Sequence, residues 1–90
     1  MPEILDYTYQ FHKKGGHNIA FFIIKRATGS TSYYQYISSD GYWYVMREVI
    51  DGVTTTTDYS TPVSVSTTTA TIGWAGRAAL TYSNPNVAFA

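Results

Sequence analysis

Apolar and polar residues alternate strictly near the start of the chain, over residues 4–12. One face of this segment carries Leu5, Tyr7, Tyr9 and Phe11. The opposite face carries Asp6, Thr8, Gln10 and His12. A period of two residues is typical of a strand with one side in a core, so the segment predicts a half-buried strand.

The next segment, residues 19–26 (IAFFIIKR), is apolar on both faces and rich in β-branched and aromatic side chains. Such a strand fits a position that is covered on both sides, either central in the fold or at an interface. Residues 13–18 precede it and contain Gly15 and Gly16, which predicts a turn between the two strands. Residues 27–32 are small and predict a loop.

Two Asp-Gly pairs, at residues 40–41 and 51–52, predict tight hairpin turns of type I′. The segment between them has ordinary strand length. We therefore expect a three-stranded antiparallel meander with strands near 33–39, 42–50 and 53–60.

Two-residue turns at these positions would fix the register. The first hairpin would place Ile37 opposite Tyr44, Tyr36 opposite Val45, and Tyr34 opposite Arg47. The second would place Tyr44 opposite Tyr59, Met46 opposite Thr57, and Val49 opposite Thr54. A four- or five-residue loop around Ser38-Ser39 would shift the first pairing, and a slip of one residue would exchange the two faces.

Pro62 interrupts the strand pattern, so residues 63–66 form at most an edge strand or a new short strand. The alternation of apolar and polar residues stops in the segment that follows. Residues 69–82 favour a short helix capped by Thr69 or Thr71, with Trp74, Ala78 and Tyr82 on one stripe. A loop followed by a strand at residues 78–82 is the alternative. Arg77 is either a hydrogen-bonding anchor or a solvated helix residue. Residues 83–90 (SNPNVAFA) predict a docking tail, on this domain or on a neighbour.

These elements predict one domain, residues 1–90, of mainly β class. We expect a small antiparallel sandwich or partly open barrel with one short C-terminal helix. A chain of 90 residues builds only a modest core, and such chains often need an extra source of stability. There is no cysteine for disulfides or thiolate metal sites, so partner subunits are the expected supplement.

Charge excludes several kinds of partner. Six basic residues balance six acidic ones, and they are scattered, so we expect no nucleic-acid binding.

The N-terminus does not resemble a signal peptide, and no apolar run is long enough to span a membrane. We therefore expect synthesis in a cytoplasm without export.

Candidate chemistry is sparse. His12 and His17 are interpreted as solvated residues flanking a turn, and Asp40 and Asp51 as turn residues. Neither a nucleophile with its base nor a phosphate-binding loop is recognisable. The sequence predicts a protein that is not an enzyme and that uses no metal or cofactor.

The excess of tyrosine leaves two binding hypotheses. Exposed aromatic residues on a sheet, here Tyr34, Tyr36 and Trp43, could stack on a glycan. Alternatively, one tyrosine-rich face is the core of the sheet, and the other is covered by residues 19–26, by the C-terminal segment or by another subunit. Tyrosine suits contacts between subunits, because its apolar ring ends in a hydroxyl group that tolerates water.

Part of the chain resembles short virion structural proteins of tailed bacteriophages. The matching residues are an aromatic hairpin (40–48), Asp58-Tyr59, and the later Trp74, Arg77 and 80–82. The resemblance covers about half of the chain and leaves out residues 1–32. It implies a component of the tail, neck or head surface, made in the host cytoplasm and located in the virion.

We accordingly expect a non-enzymatic virion structural protein that acts in assembly or decoration, by associating with itself and with larger virion proteins. A carbohydrate-binding or adhesion module, or a filament-forming protein, is the alternative. The expected contact residues are Phe21, Ile23, Tyr34, Tyr36, Trp43, Val87 and Phe89.

Overall fold

The computed structural model describes residues 9–14 and 17–90, and it is mainly antiparallel β. Five strands follow one another as a meander that forms a half-barrel, and a short sixth strand pairs with the fourth. The strands are β1 (Tyr9–Lys14), β2 (His17–Ala27), β3 (Thr31–Ser38), β4 (Tyr42–Asp51), β5 (Thr54–Tyr59) and β6 (Val63–Ser64). The predicted fold class and the three-stranded meander are confirmed.

In the described residues, helical structure lies in the C-terminal third and is shorter than predicted. Helix α1 spans Ala70–Ala75, and the side chain of Thr69 caps it by accepting a hydrogen bond from the Ile72 backbone N–H. The chain leaves the α-helix at Gly76 and continues as one turn of 3-10 helix, Arg77–Ala79. The predicted extension to residue 82 is therefore wrong, and so is the alternative strand at 78–82. A second helix, α2, spans Pro85–Ala88.

Strand β1 is oriented opposite to the expected half-buried strand. Gln10 pairs with Phe21 and His12 with Ile19, and paired residues share one face of an antiparallel sheet. Since Phe21 is fully buried, Gln10 and His12 point toward the core, whereas Phe11 is 63% exposed. The interpretation of His12 as a solvated residue is thus wrong. The predicted part of this strand at residues 4–8 lies outside the described residues.

The first hairpin turn has three residues instead of two. The Gly41 backbone N–H donates to the Ser38 carbonyl (3.1 Å), and Gly41 alone in this turn has a positive φ, of 88°. A single glycine in the left-handed region at the end of such a loop is the second common solution for hairpins. The extra residue pairs Tyr36 with Tyr44 and Ile37 with Trp43, one position from the predicted register.

The second turn consists of Gly52 and Val53, with Asp51 already paired in β4. Gly52 has a φ of 64°, while Val53 does not have a positive φ, so the arrangement matches type II′ rather than type I′. Val49 therefore pairs with Thr56 instead of Thr54. A shift of two residues leaves each β5 side chain on its predicted face relative to β4.

The sheet consequently has two faces that differ from those predicted. The inner face bears the main apolar cluster, which the C-terminal α2 completes. Its buried members are Phe21, Tyr34, Tyr36, Tyr44, Met46, Ala88 and Phe89. The outer face bears the buried residues Gln35, Trp43 and Val45. The one-residue shift in the first hairpin is the reason that Tyr34 and Tyr36 lie with Tyr44 and not with Trp43.

The C-terminal segment, residues 60–90, covers parts of both faces. On the outer face the Trp43 indole N–H donates to the Thr68 carbonyl (2.7 Å), and the Gln35 side-chain amide donates to the Ala70 carbonyl (2.8 Å). The chain then pairs with the edge of β5 through Tyr59 and Ser83, and Phe89 joins the inner cluster. The predicted tail thus docks on its own domain.

Strand β2 is not covered on both sides within one chain. Phe21 is buried on the inner face, but Phe22 is 49% and Ile24 46% exposed. Strand β2 is central in the sheet, between β1 and β3, as predicted. The prediction that its own chain covers both of its faces is wrong. The other predicted explanation of its two apolar faces, an interface with another chain, stays a prediction.

The contact between Gly73 and Trp43 gives a stability prediction. A Cβ atom at position 73 would lie 2.1 Å from the Trp43 ring, which is fully buried and has no room to move. We expect Gly73→Ala to lower the free energy of unfolding by about 1–3 kcal/mol in urea titrations. Gly76→Ala is the matched control, because its nearest neighbour atom would be 3.8 Å away. Equal effects of the two substitutions would contradict this packing.

Candidate functional site

The seven expected contact residues separate into buried and accessible groups. Phe21, Tyr34, Tyr36, Trp43 and Phe89 are buried within the chain. Ile23 is half-buried against the inner cluster, and Val87 is 59% exposed. Buried side chains cannot meet a partner in this conformation, so five of the seven belong to the core and only Val87 is largely accessible. The β3–β4 register places Tyr34 and Tyr36 inside, while the C-terminal segment covers Trp43 and contributes Phe89 to the inner cluster.

On the inner face, His12 and Phe89 form the closest ring pair. Their rings are stacked, with centroids 3.8 Å apart and an interplanar angle of 5°. Tyr44 and Tyr59 contact Phe89 nearly edge-on, with centroid distances of 5.1 and 5.4 Å. Edge-to-face and offset-stacked rings are favourable arrangements of aromatic quadrupoles. We call the group formed by His12, Tyr44 and Tyr59 the aromatic seat of Phe89.

One glutamine satisfies the polar atoms of this seat. Gln10 Oε1 lies 3.1 Å from His12 Nε2 and also accepts a short hydrogen bond from the Tyr44 hydroxyl group. The Gln10 amide nitrogen in turn donates to the sulfur atom of Met46 at 3.6 Å. Hydrogen-bonded polar groups avoid the cost of burial without a partner, so β1 can direct polar residues at an aromatic core.

Burial keeps the seat electrically neutral. Desolvation lowers the pKa of His12 to about 4, so its imidazole is uncharged at neutral pH. Desolvation also raises the pKa values of Tyr44 and Tyr59 above the ordinary tyrosine value. Neighbouring tyrosines raise the pKa of Tyr44 further, whereas for Tyr59 a hydrogen bond with Gln10 partly opposes the rise and Glu48 adds to it. An imidazole with so low a pKa is a weak proton acceptor at pH 7. The seat is therefore suited to holding a flat apolar ring.

The outer face over β3 and β4 is occupied by stacked cations and rings. The guanidinium carbon of Arg77 lies 4.4 Å from the centre of the Trp74 ring, and Arg77 donates to the Trp74 carbonyl at 3.0 Å. Arg47 lies 4.4 Å from the centre of the Tyr82 ring and bonds Asp58 at 3.2 Å. Arg77 is thus held within the chain by a ring and a backbone carbonyl, which differs from the preferred interpretation as a solvated helix residue.

The outer face over β1 and β2 is different, because it exposes large apolar side chains. Phe11, Phe22 and Ile24 are 63%, 49% and 46% exposed, and we call them the exposed strip. Phe11 pairs with Ala20 and so lies diagonally across from Phe22, while Phe22 and Ile24 are two residues apart on β2. The alternation of residues 4–12 predicts that Phe11 lies on the opposite face from Gln10 and His12, but not which face points outward. The exposed strip therefore does not follow from the sequence pattern alone.

In residues 9–14 and 17–90, no group of three or more histidine, cysteine, aspartate or glutamate side chains is placed to hold a metal ion. His17 is exposed at the start of β2, whereas His12 is half-buried. No helix in the described part of the chain is long and apolar enough to cross a membrane.

Comparison with protein-family models, with curated proteins and with solved structures gives no match.

The low pKa of His12 predicts a pH dependence of stability. The unfolded chain takes up a proton near the ordinary pKa of 6.5 and the folded chain only near 4, so stability is full above pH 6.5 and declines as the pH falls toward 4. We expect about 1 kcal/mol less stability at pH 5 than at pH 7 from this group, allowing for its partial exposure.

Urea titrations at the two pH values measure this difference. His12→Phe, which keeps an aromatic ring against Phe89, should reduce it, whereas His17→Gln at an exposed position should leave it unchanged. A wild-type pH dependence that persists in His12→Phe would show that His12 is not the responsible group.

Proposed function

We propose that the chain is a non-enzymatic structural protein of a virion, which acts in assembly or decoration through contacts with copies of itself and with larger virion proteins. The exposed strip is the observation that favours contacts with protein. Strand β1 is amphipathic, yet its inner side chains Gln10 and His12 are polar and Phe11 points outward. A strand that turns its apolar side away from its own core fits a surface buried by association.

The energetics support association through this strip. Fully burying a Phe or Ile side chain contributes roughly 1.5–3 kcal/mol, and the three side chains of the strip are each about half exposed or more. They lie close enough to be buried by one partner surface. Isolated exposed residues such as Val53, at the tip of a turn, do not form such a patch.

A second copy of the chain is the partner that the sheet itself suggests. Strand β1 lies at the end of the strand order, and among the described strands only β2 pairs with it. Edge strands offer backbone groups to another chain. Equal numbers of acidic and basic residues leave no net charge to oppose the approach of two copies. Edge pairing would bring two exposed strips side by side.

The virion setting is proposed on the sequence resemblance and not on the fold. A small, weakly charged, cysteine-free domain with an apolar surface is consistent with that setting. Detection of the chain by mass spectrometry in purified particles would test the location directly, and its restriction to the unassembled host-cell fraction would contradict it.

The alternative of glycan binding loses its supporting residues. It depended on exposure of Tyr34, Tyr36 and Trp43, which are 7%, 0% and 1% exposed. Stacking on a sugar requires an accessible ring face, so these three residues do not favour a carbohydrate-binding module over contacts with protein.

Sedimentation of the chain over a range of concentrations tests association through the strip. We expect the wild-type protein to form dimers or larger species, and Phe22→Ser to weaken this association at least tenfold. Val53→Ser is the control, because it removes a fully exposed apolar side chain from a turn that lies outside the strip. A wild-type monomer at all concentrations, or equal effects of both substitutions, would contradict the proposal.

A further inference from the structure

The C-terminal residues form a compact unit with its own internal hydrogen bonds. Asn84 Oδ1 accepts from the Val87 backbone N–H (3.2 Å), and Pro85 occupies the first turn of α2, where a proline fits. The Phe89 N–H donates to the Pro85 carbonyl (3.0 Å). Because these bonds lie within residues 84–90, the segment needs nothing from the sheet to satisfy them.

The contacts of this unit with the domain are concentrated at its end. Phe89 inserts into the aromatic seat, and both Phe89 and Ala88 are buried, while Val87 on the same helix is 59% exposed. The seat is formed entirely by β1, β4 and β5, so it does not depend on residues of the tail for its shape. The aromatic seat and the C-terminal segment are therefore separate parts of the fold, related to each other as a binding site is to its ligand.

The residues that connect the C-terminal segment to the rest of the domain would allow the seat to be filled by the tail of another chain. Upstream, Tyr82 is held by its hydroxyl bond to the Arg77 carbonyl (2.7 Å) and by Arg47 against its ring. Asn84 has an extended backbone (φ −69°, ψ 163°), as expected for a residue before proline. A change of direction between Tyr82 and Asn84 would release α2 and Phe89 while the outer-face contacts stay in place. It would break the two backbone hydrogen bonds between Ser83 and Tyr59 (2.8 and 2.9 Å), which an exchanged tail would form again.

We propose that the aromatic seat is an interaction site for the C-terminal segment 83–90 of a second copy of this chain, so that copies are joined by exchange of their tails. Exchange of an identical element reproduces every contact of the closed monomer and is a low-cost route to an oligomer. The tethered tail competes with an effective concentration on the order of millimolar. Exchange is therefore favoured where many copies are held close together.

The exchange is physically separate from the exposed strip. The strip lies on the outer face of β1 and β2, and the seat lies on the inner face. Phe22→Ser should weaken association through the strip and leave tail exchange intact. The two proposals can thus fail independently.

A peptide with the sequence of residues 83–90 tests the receptor directly. We expect it to bind the full-length Phe89→Ala chain, whose seat is vacant, at least tenfold more tightly than the wild-type chain, with fluorescence anisotropy as the readout. The same peptide with F89A is the control and should not bind. A folded Phe89→Ala chain that ignores the peptide, or that binds both peptides equally, would overturn the proposal.

An experiment on the unmutated tail covers the case in which Phe89→Ala does not fold. Isotope-labelled and unlabelled Phe22→Ser chains are mixed after unfolding and refolded together at high concentration. We expect isotope-filtered NOEs between the Phe89 ring of one chain and the His12 ring of another. Their absence at millimolar concentration would overturn exchange between copies, even if the peptide binds, and would leave the tail as a segment that serves only its own domain.

Discussion

The three-residue turn between β3 and β4 is the constraint on which the arrangement of the two faces depends. Gly41 provides the positive φ that closes this turn, and the Ser38 hydroxyl also accepts a hydrogen bond from the Tyr42 backbone N–H at 3.1 Å. With this turn, Tyr36 stacks on Tyr44 at 5.1 Å and 12° on the inner face. A two-residue turn would place Tyr36 opposite Val45, and every side chain of β3 would change faces relative to β4.

Once the faces are set, the C-terminal segment completes both of them. Trp43 lies on the outer face and requires a partner for its indole N–H, which Thr68 provides, and a neighbour without a side chain, which Gly73 provides. Ser60 completes the edge of β4 between β5 and β6, because its hydroxyl group accepts from the Val45 N–H and its own N–H donates to the Val45 carbonyl. The chain then passes the edge of β5 and places Phe89 on the inner face. One segment therefore stabilises two cores that the sheet alone would leave open.

The existence of the strands follows from local sequence, but their pairing does not. Alternation, β-branched runs and Asp-Gly pairs locate β2 to β5 within one or two residues, and Thr69 locates the start of α1. The register depends on whether a turn has two or three residues, and Asp40-Gly41 is compatible with both. The face of β1 that points to the core depends on its pairing with β2. Because β2 is apolar on both faces, its sequence does not indicate which of its faces is buried.

The candidate sites could not be predicted from the sequence either, because they too depend on how the strands pair. Nothing local to Gln10 or His12 indicates that they face aromatic rings contributed by β4, β5 and α2, since these contacts join residues far apart in the sequence. Tyr34 and Tyr36 lie on the inner face because the first turn has one residue more than predicted, whereas Trp43 is buried because the C-terminal segment covers it on the outer face. Docking of residues 83–90 was predictable from their apolar end, whereas the identity of the seat required the fold.

The outward orientation of the apolar side of β1 is the central claim of this account, and solvent accessibility measured residue by residue tests it most directly. In dilute solution of the Phe22→Ser chain, a soluble paramagnetic agent should broaden the ring signals of Phe11 about as strongly as the methyl signals of Val53, and should leave the His12 and Phe89 rings protected. A protected Phe11 ring together with a strongly broadened His12 ring would contradict the account, because β1 would then turn its apolar side to its own core.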